Sequence, residues 1–132
     1  MVPMATTAQD TTLVDAWHDV LVRYARVTSA LEHALRGHAL GVSEFEVLER
    51  LSEADANECR MQDLSGSVHL SQSALSRVVG RLEADGLVER AMCPTDRRGI
   101  YAKLTAAGRE RYEAARPVHR AVLARELADA AA

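Results

Sequence analysis

The stretch LSQSALSRVVGRLEADGLVER, residues 70–90, decides the fold because its apolar positions follow a single helical spacing. The residues at i, i+3, i+4 and i+7 lie on one face of a helix: Leu75, Val78, Val79 and Leu82. Ser71 stands where an N-cap is expected, and Gly86 stands where a left-handed residue ends a helix. The sequence therefore predicts a helix between these two residues.

The side of this helix opposite the apolar face is small and carries little charge. Its residues are Ser73, Arg77, Gly80 and Ala84, flanked by Ser76 and Arg81. A solvated helix face is usually rich in Glu and Lys. Arginine and short hydroxyls instead suit a helix in the DNA major groove, where arginine binds a guanine edge and first-turn N–H groups bind phosphate. Packing against another protein helix is the alternative interpretation.

After Gly86 the pattern changes to two alternating runs, LVERAM at 87–92 and GIYAKL at 99–104. They predict a β-hairpin, and its tip, CPTDRR, is basic. Arg97 and Arg98 at this tip are placed to enter a minor groove. Asp96 is expected to hold a neighbouring arginine by a charge-assisted hydrogen bond. A solvated turn would explain the tip alone, but the tip and the helix face together favour DNA binding.

Helices are predicted on both sides of this unit. Residues 9–36 form one long helix with apolar positions spaced alternately by four and three: Leu13, Trp17, Val20, Tyr24, Val27, Leu31 and Ala34. Gly37 and Gly41 are expected to end it and bracket a turn. Ser43-Glu44-Phe45-Glu46 has the form of a capping box and predicts the start of a second helix.

The polar run SEADANE, residues 52–58, predicts a loop, and a short third helix is expected from Arg60 or Met61 to Ser67. Thr105 is expected to cap a last helix, which Pro117 should kink. The order helix, short helix, turn, helix and hairpin predicts a mainly α winged helix-turn-helix with a small β-hairpin wing. Two long helices flank it.

Composition and charge narrow the class of protein. The 132 residues suit one domain, and 48% of them are apolar. No apolar run approaches a membrane span and no secretory leader is visible at the start, so we expect a cytoplasmic protein with no membrane partner. The net charge is −3, yet residues 67–105 carry +2 and the remainder −5. The positive charge is therefore local.

Patterns for other chemistry are weak. The sequence has no G-x-S-x-G motif, P-loop or dinucleotide fingerprint, so we expect no enzyme and no cofactor. The five histidines are scattered along the chain: His18, His33, His38, His69 and His119. No two of them are three or four residues apart, so we expect no metal site. Cys59 and Cys93 lie far apart. Cys93, close to Arg97, is the better candidate for a reactive thiol.

Residues 70–90 followed by CPTDRRGIYAKLTAAG resemble the MarR family of bacterial transcriptional regulators. The most specific part of the resemblance is the Asp-x-Arg wing followed by Leu104-Thr105-x-x-Gly108. The resemblance continues upstream through VSEFEVLERL, so that it covers about residues 10–120. It implies a homodimer that binds double-stranded DNA at a pseudo-palindromic operator, with promoter repression as the default mechanism. The positions that fall on the recognition helix are Ser71, Gln72, Ser73, Ser76, Arg77 and Arg81. Those that fall on the wing are Asp96, Arg97 and Arg98.

The sequence pattern and the resemblance together predict a domain organisation. A disordered lead-in at 1–8 precedes a single domain at 9–132, in which a DNA-binding lobe at 43–104 lies between dimerisation helices at 9–36 and 105–132. The expected interface residues are Leu13, Trp17, Val20, Tyr24, Val27, Leu31, Val118, Val122 and Leu127. Such proteins usually continue with a further C-terminal helix, so a chain ending in ADAAA is expected to form a weaker dimer.

Members of the family often respond to small aromatic effectors held between the dimer helices and the DNA-binding lobe. Candidate pocket residues on the first helix are Trp17, Arg23, Tyr24 and His33, although a dimer-core role is favoured for Trp17 and Tyr24. Zinc and thiol sensors also occur in the family. A redox- or metal-responsive regulator and a winged helix that binds only protein are therefore the alternatives.

Overall fold

The computed structural model describes residues 7–92 and 99–128. In this part of the chain the helices are α1 (Thr7–Leu35), α2 (Val42–Glu53), α3 (Met61–Ser67), α4 (Gln72–Ala84) and α5 (Ala106–Glu126). The strands are β1 (Glu58–Arg60), β2 (Val88–Met92) and β3 (Ile100–Leu104), and they form one antiparallel sheet in the order β1-β3-β2. The predicted mainly α winged helix-turn-helix is confirmed.

The sheet has one more strand than the two alternating runs predict. β2 and β3 form the predicted hairpin, with Val88 opposite Leu104 and Met92 opposite Ile100. β1 lies on the other side of β3, in the segment where the sequence predicts a loop and the start of the third helix. Three residues are too few to show alternation, and the partner strand is about 40 residues away in the chain. The prediction of a loop there is wrong for this reason.

The start of α2 also differs from the prediction. The N-cap is Gly41, and the side chain of Glu44 accepts a hydrogen bond from the Gly41 N–H at 3.2 Å. Glu32 on α1 accepts the next donor, the Val42 N–H, also at 3.2 Å. The capping box predicted at Ser43 is therefore wrong, because two carboxylates satisfy these donors and the helix begins one residue before Ser43.

Helix α1 begins at Thr7, inside the segment predicted as a disordered lead-in; residues 1–6 lie outside the described part of the chain. Its end is followed by a 3-10 turn at Arg36–His38, and Ala39 takes the left-handed conformation there, with φ at 56°. Helix α5 continues through Pro117 as one element, so the proline does not end it.

The apolar core lies where α2, α3, α4, the sheet and α5 meet. All four apolar positions predicted on α4 are at most 5% exposed, which confirms its inward face. They pack with large side chains from the other elements that are fully buried, among them Leu35, Phe45, Leu48, Leu51, Leu64 and Leu87. Complete burial of one such side chain stabilises the fold by about 1.5–3 kcal/mol.

A tight junction joins the end of α4 to the start of α5. Gly86 ends α4 with φ at 75°, and its carbonyl accepts a hydrogen bond from the Thr105 hydroxyl at 2.7 Å. The same hydroxyl caps α5 by accepting the Gly108 N–H at 3.0 Å, while the Thr105 N–H donates to the Leu87 carbonyl at 3.1 Å. A Cβ atom on Gly108 would stand 2.0 Å from the Leu87 carbonyl oxygen. In the Leu104-Thr105-x-x-Gly108 motif, position 105 therefore needs a hydroxyl for these two hydrogen bonds, and position 108 needs a glycine because a Cβ atom would clash.

The predicted interface residues divide into three groups by their exposure. On the exposed part of α1, from Thr7 to Arg26, the side chains of Leu13, Trp17, Val20 and Tyr24 are 57–70% exposed, so the described residues of the same chain leave most of their surface uncovered. Leu31 and Val122 are 5% and 3% exposed. Their assignment to a dimer interface is not supported, because packing within the protomer already buries them. Val27, Val118 and Leu127 are half-buried.

Candidate DNA-binding surface and adjoining cavity

A turn joins helices α3 and α4; the sequence predicts its cap residue but not its other contacts. Ser71 is the N-cap of α4, as predicted, and its hydroxyl accepts the Ala74 N–H at 3.1 Å. His69, in the turn, has a left-handed backbone with φ at 58°. The Gln72 side chain donates to the Ser65 hydroxyl on α3 at 2.7 Å. Gln72 is a predicted DNA-binding residue, and the structure adds a role in holding the two helices together.

The outer face of α4 is accessible along its length. Ser73, Ser76, Arg77 and Arg81 are exposed, and Gly80 is half-buried. Within residues 7–92 and 99–128, the Arg77 and Arg81 side chains take part in no hydrogen bond or ion pair. Two guanidinium groups are thus presented on a face of small side chains, and each keeps its donors for an external acceptor.

Arg90, on β2, accounts for part of the small-residue character of this face. Its guanidinium donates to the backbone carbonyl of Ser76 at 2.6 Å, and the site of a Cβ on Gly80 lies 3.6 Å from the same nitrogen. The small residue at position 80 therefore borders a protein contact as well as solvent. Sequence reasoning counted Arg90 only as a charge, because this contact joins two elements fourteen residues apart.

The strands β2 and β3 lead towards the predicted wing tip. The outermost described pair, Met92 and Ile100, is exposed. The tip itself, with Cys93, Asp96, Arg97 and Arg98, lies outside the described residues. The hairpin is confirmed, and the DNA-binding role of the tip stays a prediction.

Comparison with known proteins identifies this arrangement. A sequence profile of the MarR family matches residues 40–100, from the turn before α2 to the start of β3. AbsC, a MarR family transcriptional regulator from Streptomyces coelicolor, is 33% identical and has a crystal structure that matches with a TM-score of 0.83. That match covers 98% of this chain and 84% of AbsC. The chain belongs to the MarR family. Regulators of this family are not enzymes, as the sequence predicts.

Two further solved structures are similar. Sco3205, a MarR family regulator from Streptomyces coelicolor solved in complex with DNA, is 28% identical, with a TM-score of 0.86 over 97% of this chain and 79% of Sco3205. CouR from Rhodococcus jostii RHA1, bound to p-coumaroyl-CoA, is 29% identical, with a TM-score of 0.75 over 86% of this chain and 79% of CouR. The chain spans only 44–64% of the length of the three curated Bacillus subtilis regulators that it matches.

A cavity of about 420 Å³ lies between α1, α2, the α3–α4 turn and α5. Of the four predicted pocket residues, Tyr24 lines it, whereas Trp17, Arg23 and His33 do not. Trp17 is on the same side of α1 but two turns away, and His33 is on the opposite side, nine residues on at 100° each. An effector role for these three residues stays a prediction, and none of them lines this cavity. Sequence reasoning missed Glu46, His69 and His119, since the lining comes from distant segments.

A polar network next to the cavity joins α2 to α5. Glu49 accepts hydrogen bonds from the Tyr112 hydroxyl at 3.0 Å and from the Arg120 guanidinium. Arg120 also donates to Nδ1 of His119 at 2.6 Å. The His119 ring is 5% exposed and stacks on Phe45 with ring centroids 4.2 Å apart. The network fixes His119 with its Nδ1 as acceptor, which is the neutral tautomer.

The environment of the network shifts the pKa values of two of its members. Burial lowers the pKa of His119, and the positive charge of Arg120 lowers it further. Burial would raise the pKa of Glu49, but the hydrogen bonds from Arg120 and Tyr112 outweigh it and bring this pKa below 4.5. A neutral His119 beside an ionised Glu49 is therefore the preferred charge state of the folded protein.

Acidification is expected to destabilise the protein from the pH where histidine titrates. Folded His119 binds a proton less readily than the unfolded chain, so its contribution is present above pH 6.5 and is lost as the pH falls below it. The contribution of Glu49 has the same sign and is lost below pH 4.5. The measurement is the melting temperature of the wild type and His119→Phe from pH 8 to pH 4.

His119→Phe keeps a ring against Phe45 but removes the titrating group, so its melting temperature should change less than that of the wild type between pH 7 and pH 5. His33→Asn, which removes an exposed histidine from α1, is the matched control and should follow the wild type. An identical pH profile for His119→Phe and the wild type would rule out His119 as the titrating group.

The described residues give little support to metal or thiol chemistry. Among residues 7–92 and 99–128, no group of three or more His, Cys, Asp or Glu side chains is placed to hold a metal ion. Cys59 lies half-buried in β1; burial raises the pKa of its thiol, and the carboxylate of Asp63 raises it further. Both effects favour the unreactive thiol form. None of the described helices has the length and apolar character that crossing a membrane requires.

Proposed function

We propose that the chain is a sequence-specific, DNA-binding transcriptional regulator, with α4 as the helix that enters the major groove. The observation that carries this proposal is the pair of exposed arginines, Arg77 and Arg81, which lack protein partners in the described chain and lie on a face of small side chains. Arginine on such a face binds guanine edges or phosphates. That Sco3205 was solved in complex with DNA supports the same use of the fold.

The other predicted DNA-binding residues take complementary roles. Ser71 and Ser73 stand at the N-terminus of α4, where hydroxyls and free N–H groups suit a phosphate. Ser76 faces the groove next to Arg77, and Gln72 reaches DNA only through the part of its amide that Ser65 leaves free. Arg97 and Arg98 enter the flanking minor groove, with Asp96 orienting one of them.

We infer that the active form is a homodimer joined through α1. The exposed apolar side chains on its first half form a surface that soluble monomers rarely leave uncovered. A two-fold dimer would place two copies of α4 in successive major grooves, about 34 Å apart, which fits a pseudo-palindromic operator. Occupation of a promoter then represses transcription in the cytoplasm. Sedimentation equilibrium should give twice the mass of one chain; a single-chain mass at micromolar concentration would contradict the dimer.

The test of DNA binding is fluorescence anisotropy with duplex DNA from upstream of the gene for this protein and with a scrambled duplex of equal length. We expect selective binding to the first duplex, with an affinity that falls steeply as the salt concentration rises, because phosphate contacts release counterions. Equal and salt-insensitive binding to both duplexes, or none to either, would contradict the proposal.

The cavity beside α1 is the proposed effector site. Its volume lies within the range of small-molecule pockets, and its lining combines Tyr24 and aliphatic side chains with the carboxylates of Glu32 and Glu46. No arginine or lysine is among the residues that line it. CouR holds an aromatic acyl-CoA. Here we expect a small aromatic ligand that is neutral or cationic, since a carboxylate would face Glu32 and Glu46 without a cation to pair with.

A matched pair of ligands tests this expectation. 4-Phenylbutylamine and 4-phenylbutyrate share an apolar body and differ in charge, so thermal shift should report stabilisation by the amine alone. Glu46→Gln should weaken that stabilisation, whereas Glu53→Gln, an exposed change at the end of α2, should not. Stabilisation by the carboxylate alone would assign the cavity to anionic ligands.

A further inference from the structure

Arg90 is attached to α4 at two places, although it belongs to the wing strand β2. Its guanidinium donates to the backbone carbonyl of Ser76 at 2.6 Å, with the Ser76 hydroxyl 3.5 Å away. Its backbone N–H donates to the carboxylate of Glu83 at 3.3 Å, and its Nε lies 3.8 Å from the other oxygen of the same carboxylate. Arg90 thus spans two turns of α4, from Ser76 to Glu83.

The surroundings of Arg90 are built to admit it. A helical carbonyl has a second lone pair that an external donor can reach only where side chains are small. Gly80 lies one turn beyond Ser76. Because glycine has no side chain, the guanidinium has room to approach the backbone; a Cβ atom at position 80 would stand 3.6 Å from the Arg90 nitrogen. The Arg90 side chain is about one-third exposed, so these bonds are shielded from solvent in part.

We propose that Arg90 is a positioning residue for DNA recognition: it fixes the rotation of α4 relative to β2, so that Arg77 meets the major groove in one orientation. This inference rests on the proposed DNA-binding function. Ser76, whose carbonyl Arg90 holds, directly precedes Arg77. Because Arg90 is bound to the backbone and not to a side chain, it constrains the helix itself.

A direct phosphate contact by Arg90 is the competing role, and salt dependence separates the two. A residue that binds phosphate contributes about one unit to the slope of log affinity against log salt concentration, whereas a positioning residue contributes none. Lysine separates them as well, since it keeps the charge but lacks the fork that reaches Ser76 and Glu83 together.

The experiment measures anisotropy for Arg90→Gln and Arg90→Lys on the operator and on scrambled DNA at several salt concentrations. For both variants we expect operator affinity to fall by about tenfold, the scale of a lost hydrogen bond to a charged group. Affinity for scrambled DNA should stay within about twofold, with an unchanged salt slope. Arg50→Gln, which removes an exposed arginine from α2, is the matched control and should bind as the wild type does.

Two outcomes would overturn the proposal: a smaller salt slope in Arg90→Gln that Arg90→Lys restores, or unchanged selectivity in both variants. If the Arg90 variants prove unstable by thermal melting, Glu83→Gln tests the same attachment from α4, and we expect selectivity to fall without a change in slope. Failure of the wild type to distinguish the two duplexes would instead count against the proposed function itself, which keeps the two failures separate.

Discussion

Gly108→Ala is expected to lower the free energy of unfolding by about 3 kcal/mol, the upper end of the range for overpacking a buried site. The new methyl carbon would stand 2.0 Å from the Leu87 carbonyl oxygen and 2.8 Å from a methyl group of Leu104. The first obstacle is backbone, so it cannot swing aside as a side chain does. Relief requires α5 to move away from Leu87, and that would break the hydrogen bond from the Thr105 N–H to the Leu87 carbonyl.

Urea denaturation followed by circular dichroism measures this loss. Gly66→Ala is the matched control, because Gly66 also lies in a helix but has no atom within 4 Å of its Cβ position. Alanine there should be neutral or should stabilise by up to about 1 kcal/mol through helix propensity. Wild-type stability in Gly108→Ala would show that the junction tolerates a side chain, and an equal loss in both variants would remove the specific role of Gly108.

Arg77→Ala is expected to cost most of the base preference at one operator position, about 1–3 kcal/mol of discrimination. Arg77 is exposed on α4 and has no protein partner in residues 7–92 and 99–128, so its removal leaves the fold unchanged. Arg98→Ala, at the wing tip, should weaken binding more evenly across sequences and lower the salt slope by about 1. The measurement is competition between the operator and duplexes with single base-pair changes.

Arg77→Ala should therefore change sequence preference, whereas Arg98→Ala should change overall affinity and its salt dependence. Arg50→Ala, an exposed arginine on α2 paired with Glu53, controls for the loss of one positive charge from another helix. Equal losses of affinity in Arg77→Ala and Arg98→Ala, with sequence preference unchanged in both, would exclude this division between base reading and phosphate binding.

The features that the sequence predicts correctly are those with a local cause. The inward face of α4, its cap at Ser71, its end at Gly86 and the β2–β3 hairpin all follow from spacing within a few residues. The cap of α2 was predicted at the wrong residue, because the helix begins at Val42 and the distant Glu32 accepts the Val42 N–H. β1 fails it as well, since only pairing with β3 makes that segment a strand.

In the candidate site, too, the features with a local cause are the ones that the sequence predicts. Arg77 and Arg81 are exposed as predicted because helical periodicity alone decides which way they face. The contact of Gln72 with Ser65 and that of Arg90 with Ser76 depend on how separate elements pack, which periodicity does not specify. The cavity combines parts of several elements, so the pattern of α1 alone could identify Tyr24 but not His119.

The proposed homodimer would make assembly part of how this protein folds. Every residue from Thr7 to Arg26 is exposed, so about two-thirds of the helix draws little stability from its own chain. A helix without packing is marginal in water, whatever its propensity. If α1 forms the proposed dimer interface, order in this segment varies with subunit concentration, as it does for any fold completed by association. Dilution should therefore cost helix content in α1 while α2 to α5 keep their core, and a cell that makes few copies would hold the regulator nearer to its unassembled form.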